Sequence, residues 1–167
     1  SPSIVLHNCS EIYFFITSSK RHTFETDRRA GTFEIMFKAK GLEYAGQLAL
    51  QNCRDLLTIL KWNKANGFDF FRLSSNLIPW ASEYNIEDLP QFAMIERVLF
   101  DCGLYIEENG MRVTSHPGPF NKLTSPKEQV VLNTIKDLET HGKVFDLLCL
   151  ERSPFAKLTI HVVAHYN

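Results

Sequence analysis

The longest amphipathic pattern of the chain lies between Leu42 and Asn66. Apolar residues recur there at intervals of three and four positions, which is the spacing of one face of an α-helix. Gly67 follows, and glycine often ends a helix because it accepts a left-handed backbone. The pattern predicts a helix over 42–66 with a buried face formed by Leu42, Ala45, Leu48, Ala49, Cys53, Leu56, Leu57 and Leu60.

Two further helices are predicted from their end signals. Asp88 and Pro90 are typical first-turn residues, and they predict a second helix that runs to about Glu108. The motif Ser125-Pro-Lys-Glu supplies a serine N-cap, a proline at the first helical position and the glutamate of a capping box. It predicts a third helix that ends near Leu148.

Short strand-like runs alternate with these helices. They are Ile4–Leu6, an aromatic run that starts at Phe68, Met111–Ser115 and Lys157–Val163. Strands that alternate with helices of three or more turns indicate parallel pairing through right-handed crossovers. The sequence therefore predicts an α/β fold, which is either a doubly wound sheet or part of a barrel.

Polar residues follow each of the later strands, at the sheet edge where α/β proteins bind their ligands. No glycine-rich phosphate loop follows any strand, which disfavours a nucleotide-binding Rossmann unit. We therefore prefer a partial barrel. The polar residues at its strand ends are Ser74, Ser75, Asn76, His116 and His161.

Composition adds few constraints. The apolar fraction is 44% and the charged fraction is 22%. The net charge of −1 gives no overall positive potential, which would indicate a nucleic-acid partner. This argues against a pure DNA-binding module, but not against an enzyme that meets DNA through a local groove or metal ions. The four cysteines form no metal-binding spacing and are expected to be reduced core thiols. Without a membrane span or leader, we expect a cytoplasmic (nucleoid) or nuclear protein that is not secreted.

His116 and His161 come at matching points of consecutive strands. Side chains that leave neighbouring parallel strands at one edge can converge on one ion, because such strands lie about 5 Å apart. Imidazole suits zinc, manganese or iron. The alternative is that each histidine is a strand-end residue satisfied by the backbone, and spacing alone leaves both interpretations open.

Five segments resemble the UV damage endonuclease family, in the order that the family has them. The clearest is Ser115-His-Pro-Gly-Pro-Phe-Asn, followed by the Ser125-Pro-Lys-Glu helix start. The resemblance covers roughly residues 26 to 162, whereas residues 1–25 match poorly. The other segments are Gly41-Leu-Glu-Tyr-Ala-Gly, Trp62-Asn-Lys-Ala-Asn-Gly, Phe71-Arg-Leu-Ser-Ser-Asn-Leu-Ile-Pro-Trp-Ala-Ser-Glu-Tyr, and Leu150-Glu-Arg-Ser with Lys157-Leu-Thr-Ile-His.

The resemblance implies a TIM-type (β/α)8 barrel related to endonuclease IV. Residues 1–167 would form one domain, the N-terminal half of that barrel, with about four parallel strands and covering helices. It implies hydrolysis of a DNA phosphodiester 5′ to UV photoproducts and other lesions by divalent ions. We expect manganese, with zinc, magnesium or cobalt as alternatives. By position, His116 and His161 match two family metal ligands, and the remaining ligands are expected beyond Asn167.

The resemblance also suggests residues that contact DNA. Pro119 and Phe120 match a pair that probes the damaged duplex, where many members have Gln-Tyr. An aromatic ring there can still stack on bases, although a Pro-Gly-Pro turn with a buried Phe120 is the alternative. Asn76 is a candidate for bonding a phosphate or the ligand shell, and equally for a strand-end structural role. Arg28 is a candidate phosphate contact, against a solvated loop.

Glu83 is the candidate catalytic residue, at a position where several members have histidine. A carboxylate there can ligate metal or act on water, and a surface glutamate that leads into a helix is the alternative. The family usually has a glycine-containing stretch after its next ligand strand, whereas this chain has Val163-Ala-His-Tyr-Asn. That departure restricts how closely the backbone can approach a ligand.

Two other functions remain open from the sequence. One is an inactive half-barrel remnant that binds damaged DNA, and the other is a metal-dependent barrel like a sugar isomerase. The expected partner is damaged double-stranded DNA, with no membrane. The sequence stops directly after a strand-like segment, so we expect it to be incomplete. A monomer is expected for the full-length protein, whereas unpaired strand edges leave self-association open for this chain alone.

Overall fold

The computed structural model describes residues 30–118 and 121–160, with side chains from residue 40 onwards. The chain divides into two compact units, Ser1–Gly41 and Leu42–Asn167. The described elements alternate as an α/β fold requires. In chain order they are α1 (Ala30–Ala65), β1 (Phe70–Leu73), a 3₁₀ helix (Ile86–Asp88), α2 (Phe92–Glu108), β2 (Arg112–Ser115) and α3 (Glu128–Leu147).

Helix α1 is interrupted at Gly41, whose φ of 67° and ψ of −164° are not helical. Glycine permits the break because a side chain would be strained in that conformation. The part after the break coincides with the predicted helix, and Gly67 beyond its end adopts a φ of 80°. Its buried side chains recur at helical spacing, and two of them are polar: Ala45, Ala49, Leu50, Asn52, Cys53, Leu56, Ile59, Leu60 and Asn63. Three residues of the predicted face are only half-buried: Leu42, Leu48 and Leu57.

Strands β1 and β2 are parallel, with Phe71 opposite Val113 and Leu73 opposite Ser115. Ser115 also forms a parallel bridge with Leu158. Leu158 belongs to the predicted strand Lys157–Val163, whose described part we call the third strand segment. This segment thus lies on the side of β2 opposite to β1, in sequence order. The prediction of parallel strands connected by crossover helices is confirmed for these segments.

The two faces of β1 differ in burial. Phe71 and Leu73 are buried, whereas Phe70 and Arg72 on the opposite face are exposed. On that face the Arg112 guanidinium lies 5.7 Å from the centre of the Phe70 ring. Because the covering helices of a barrel pack against the outer face of its strands, we assign Phe71 and Leu73 to the outer face.

The predicted starts of the second and third helices are wrong by a few residues. Helix α3 begins at Glu128 with Lys127 at its N-cap, not with Ser125. The Ser125 hydroxyl instead accepts a hydrogen bond from the Lys127 N–H at 3.2 Å. Serine can satisfy a backbone N–H two residues on as readily as one at a helix start, and here the local turn prevails. Helix α2 begins at Phe92, and Asp88 belongs to a separate 3₁₀ helix before it.

Helix α2 packs its apolar face into the core through Ile95, Leu99 and Cys102, each 0% exposed. Cys102 is a free thiol in the core, as expected, and burial raises its pKa to about 12. Cys149 is also a free thiol, but it is exposed and therefore does not match the expectation of a core position.

Gly103 marks the closest approach of α2 to the end of α3. A Cβ at this position would lie 2.0 Å from the backbone carbonyl oxygen of Leu148. A backbone atom cannot rotate away as a side chain can, so the two segments pack closely only because Gly103 has no side chain.

We expect Gly103→Ala to lower the free energy of unfolding by about 1–3 kcal/mol, because the backbone at Leu148 must shift. The matched control is Gly142→Ala within α3, where a Cβ meets nothing within 4 Å. It should raise stability by up to about 1 kcal/mol, because alanine loses less backbone entropy on folding. Urea unfolding measures both, and equal effects of the two substitutions would contradict the packing argument.

Candidate functional site

The loops that follow β1 and β2 meet at the carboxyl edge of the sheet. Parallel pairing brings the ends of the two strands together at Leu73 and Ser115. A Cβ on Gly118 would lie 4.0 Å from the side chain of Ser75, so the two loops approach within van der Waals distance. This edge is where the sequence predicts the functional residues.

His116 is the first residue after β2, and its ring is oriented by the neighbouring strand segment. Its Nδ1 lies 2.7 Å from the Thr159 carbonyl oxygen. Since a carbonyl only accepts, Nδ1 carries a proton when this bond forms, and in the neutral ring the lone pair is on Nε2. Metal-binding histidines use this arrangement, with one nitrogen donating to a carbonyl and the other facing the ion.

The structure describes only some of the predicted site residues. His161, Pro119, Phe120 and Arg28 lie outside the described residues, so their roles stay predictions. Within residues 40–118 and 121–160, no group of three or more His, Cys, Asp or Glu side chains is arranged to hold a metal ion. The described residues therefore contribute His116 as one candidate donor, whose chemistry fits a metal ion but does not complete a site.

Asn76 and Glu83 are both exposed in the loop after β1. The Asn76 backbone N–H donates to the Ser74 hydroxyl at 3.3 Å, which fixes the turn and presents the amide side chain to solvent. Glu83 accepts a hydrogen bond from the neighbouring Ser82 hydroxyl at 3.1 Å. Both side chains are accessible to a ligand, as their predicted roles require.

Asn52 holds the loop after β1 in place, and the sequence analysis did not single it out. The residue is 4% exposed, and its Nδ2 donates to the carbonyl oxygens of Asn76 and Leu77, both at 3.1 Å. The signal was visible in the pattern, because Asn52 occupies a core position of the apolar face of α1, between Ala49 and Leu56.

His141 of α3 was also missed, and it contacts the residue before His116. Its Nδ1 lies 2.8 Å from the Ser115 hydroxyl, which is buried. Its Nε2 lies 3.7 Å from a carboxylate oxygen of Asp137. Burial lowers the pKa of His141, the Asp137 charge opposes that effect, and His116 adds to the lowering. The signal was again a polar residue on a buried face, one turn before Val144.

The geometry is consistent with the findings from known proteins. A family model described as UV-endonuclease UvdE matches residues 9–167. The chain belongs to this UV-endonuclease family. It is similar to the UV-damage endonuclease of Neurospora crassa, with 36% identity over 129 residues that make up 76% of this chain and 20% of the relative. It is also similar to the UV DNA damage endonuclease of Clostridium perfringens, with 34% identity over 70% of this chain and 28% of the relative.

Similarity to a solved structure identifies the fold. The crystal structure of SacUVDE has 34% sequence identity and a TM-score of 0.61, and the match covers 69% of this chain and 38% of that chain. The described elements thus form part of a TIM-type barrel, as predicted. The chain spans between a fifth and about two-fifths of the lengths of the relatives it matches.

Membership of the UV-endonuclease family bears on the open alternatives. The sugar-isomerase interpretation has no support among these relatives, whereas the DNA-repair endonuclease has the support of all those named here. In the described part of the chain, none of the helices has the length and apolar character needed to cross a membrane.

We expect Asn52→Ala to lower the free energy of unfolding by about 1–3 kcal/mol, because two loop carbonyls lose their buried partner. Gln51→Ala is the matched control, since Gln51 bonds only the exposed Asp55 carboxylate on the same helix. The control should change stability by less than about 0.5 kcal/mol. Urea unfolding compares the two, and a neutral Asn52→Ala would refute the assigned role.

Stability should also depend on pH through His141. The folded protein binds a proton at His141 less readily than the unfolded chain does, because its pKa is lowered on folding. Protonation therefore favours the unfolded state, so stability should decrease as pH falls through about 6.5, the unfolded value. Denaturant titrations across this range should show a weaker pH dependence for His141→Asn, and an unchanged dependence would exclude His141 as its source.

Proposed function

We propose that the protein containing this chain hydrolyses a DNA phosphodiester 5′ to UV photoproducts and other lesions, with bound divalent metal ions. Membership of the UV-endonuclease family carries this proposal. The position of His116 at the carboxyl edge of the sheet supports it, because TIM-type barrels build their active sites at that edge.

His116 would hold a metal ion through Nε2. The bond from Nδ1 to the Thr159 carbonyl fixes the ring plane and the tautomer. His161 is proposed as a second ligand from the sequence alone. The ions would activate water and stabilise the departing oxygen of the phosphodiester. We propose manganese, with zinc, magnesium and cobalt as alternatives, because imidazole and carboxylate ligands are compatible with all four.

Glu83 would act on water or a metal ion, and Asn76 would bond a phosphate. Their exposure in the loop after β1 supports these roles. The Asn52 bonds to that loop support them too, since a site residue is effective only when its backbone is held in place. Asn76 would thereby help to bind and orient the DNA strand.

The proposed partner is damaged double-stranded DNA. The net charge of −1 gives no long-range attraction to a polyanion, so binding must come from local contacts and from metal ions. Arg28 for a phosphate and the pair Pro119 and Phe120 for the damaged bases are proposed from the sequence. We propose a monomeric full-length protein in the nucleus or nucleoid, where this substrate occurs.

A second candidate function is a half-barrel that binds damaged DNA without cutting it. The observation that favours it is that the described residues contain no group of three or more side chains arranged to hold a metal ion. The two candidates differ in whether a phosphodiester is hydrolysed.

The test uses the extended protein, which we define as this chain with about 120–150 downstream residues of its reading frame, the amount that completes a typical barrel of about 250 residues. It should nick an end-labelled UV-irradiated duplex when Mn²⁺ is present, and an unirradiated duplex far less. His116→Ala should lower the nicking rate roughly a hundredfold or more, since a metal ion contributes several kcal/mol to such a reaction.

Glu83→Gln should reduce the rate by about 10²–10⁴-fold if the carboxylate acts on water. Glu108→Gln is its control, because Glu108 is an exposed carboxylate at the end of α2, and it should leave the rate unchanged. Damage-selective binding without nicking by the extended protein would support the second candidate. An extended protein that neither binds nor nicks would overturn both.

A further inference from the structure

We infer that Ser115, His141 and Asp137 form a positioning network that fixes the loop after β2 at both of its described ends, and with it the orientation of His116. This inference rests on the proposed function for its catalytic consequence. Its structural content concerns contacts that can be measured without any activity.

The first arm of the network acts directly before His116. Ser115 is 0% exposed, and its backbone is bonded to the third strand segment at both Lys157 and Thr159. Its hydroxyl lies 2.8 Å from His141 Nδ1. The side chain is thus held by α3 while the backbone is held by the sheet, so the following residue leaves the strand in one direction.

The Asp137 carboxylate determines which partner donates in the hydrogen bond between Ser115 and His141. One of its oxygens lies 3.7 Å from His141 Nε2, so its negative charge favours the proton on that nitrogen. Nδ1 then accepts, and the Ser115 hydroxyl donates. This assignment leaves the buried hydroxyl with a defined role.

The second arm holds the part of the loop at Asn121 and Lys122, which we call its far end. The same Asp137 oxygen accepts a hydrogen bond from Asn121 Nδ2 at 2.5 Å, and the Lys122 N–H donates to the Thr134 hydroxyl at 3.0 Å. The Asp137 carboxylate therefore connects Asn121 with His141, and through His141 with Ser115, the residue before His116.

Packing alone does not require this network. Buried polar groups cost free energy unless all their partners are present, and apolar residues of similar volume often stabilise as well or better. Thr134, Asp137 and His141 nevertheless occupy consecutive turns of the face of α3 that meets the loop. A cavity of about 10 Å³ lies beside His141, lined by Ser74 and Ser75 among others, and it has room for about one water. The network therefore lies next to both the loop after β1 and the loop after β2.

The two arms should give different kinetic signatures in the extended protein. Ser115→Ala and His141→Leu release His116, so they should lower kcat and weaken Mn²⁺ binding by about 10–100-fold, with little change in KM for UV-irradiated duplex. His141→Asn should restore much of kcat, because the asparagine amide can take the place of Nδ1 and still bond Ser115. Asn121→Ala releases only the far end of the loop, so it should raise KM and leave kcat largely unchanged.

Asn133→Ala is the matched control on the same helix. Asn133 accepts a hydrogen bond from the Gln129 side-chain amide on the solvent-exposed side of α3, so its loss should change none of these quantities. All variants are compared at a temperature where urea titration shows each to be folded. A purely structural network would lower stability while kcat, KM and Mn²⁺ affinity per folded molecule stay at parent values, and that result would overturn the inference.

Imidazole NMR provides a readout that does not depend on activity. In the parent extended protein, ¹⁵N shifts should show His116 protonated at Nδ1 and His141 protonated at Nε2, and Ser115→Ala should shift both rings. If the parent nicks no DNA but these tautomers and their response are found, the proposed function fails and the positioning network stands. If either ring has the other tautomer, or Ser115→Ala leaves both unchanged, the network is refuted whatever the nicking result.

Discussion

The parallel pairing at Ser115 determines where side chains emerge at the carboxyl edge of the sheet. Its N–H donates to the Lys157 carbonyl and its carbonyl accepts from the Thr159 N–H, both at 2.9 Å. Because paired strands lie about 5 Å apart, the residue after Ser115 must emerge beside the third strand segment. His116 does so, within reach of the Thr159 carbonyl. Strand register thus places His116 beside the third strand segment.

The covering helices contribute polar groups to this edge as well as apolar surface to the core. Loop carbonyls near a packed core have no strand partner, so a side chain must satisfy them. Asn52 of α1 does this for the loop after β1, and His141 of α3 reaches the last residue of β2. Each polar residue lies on a helix face that is otherwise buried. The site edge is therefore supported from behind by the same helix faces that form the core.

Sequence periodicity predicted the elements well and their polar contacts poorly. The 42–66 helix and the strand ending at Ser115 were predicted because apolar spacing reports which face is buried. The start of α3 was not, because the Ser125 hydroxyl satisfies a local turn instead of a helix cap. The roles of Asn52 and His141 were not predicted for a different reason. A single sequence shows that a polar residue interrupts an apolar face, but only the fold shows which loop crosses it.

The contacts that orient His116 agree better with the proposed endonuclease than with a half-barrel that only binds DNA. The contacts that the structure describes come from residues 115–159, so this stretch by itself contributes to holding the candidate ligand. A half-barrel that only bound DNA would gain nothing from a defined imidazole tautomer, and a buried histidine beside a half-buried carboxylate is costly to maintain for packing alone. A metal site does need that tautomer, because only the unprotonated nitrogen coordinates. If His116 binds a metal ion as proposed, the rest of the barrel would supply the further ligands.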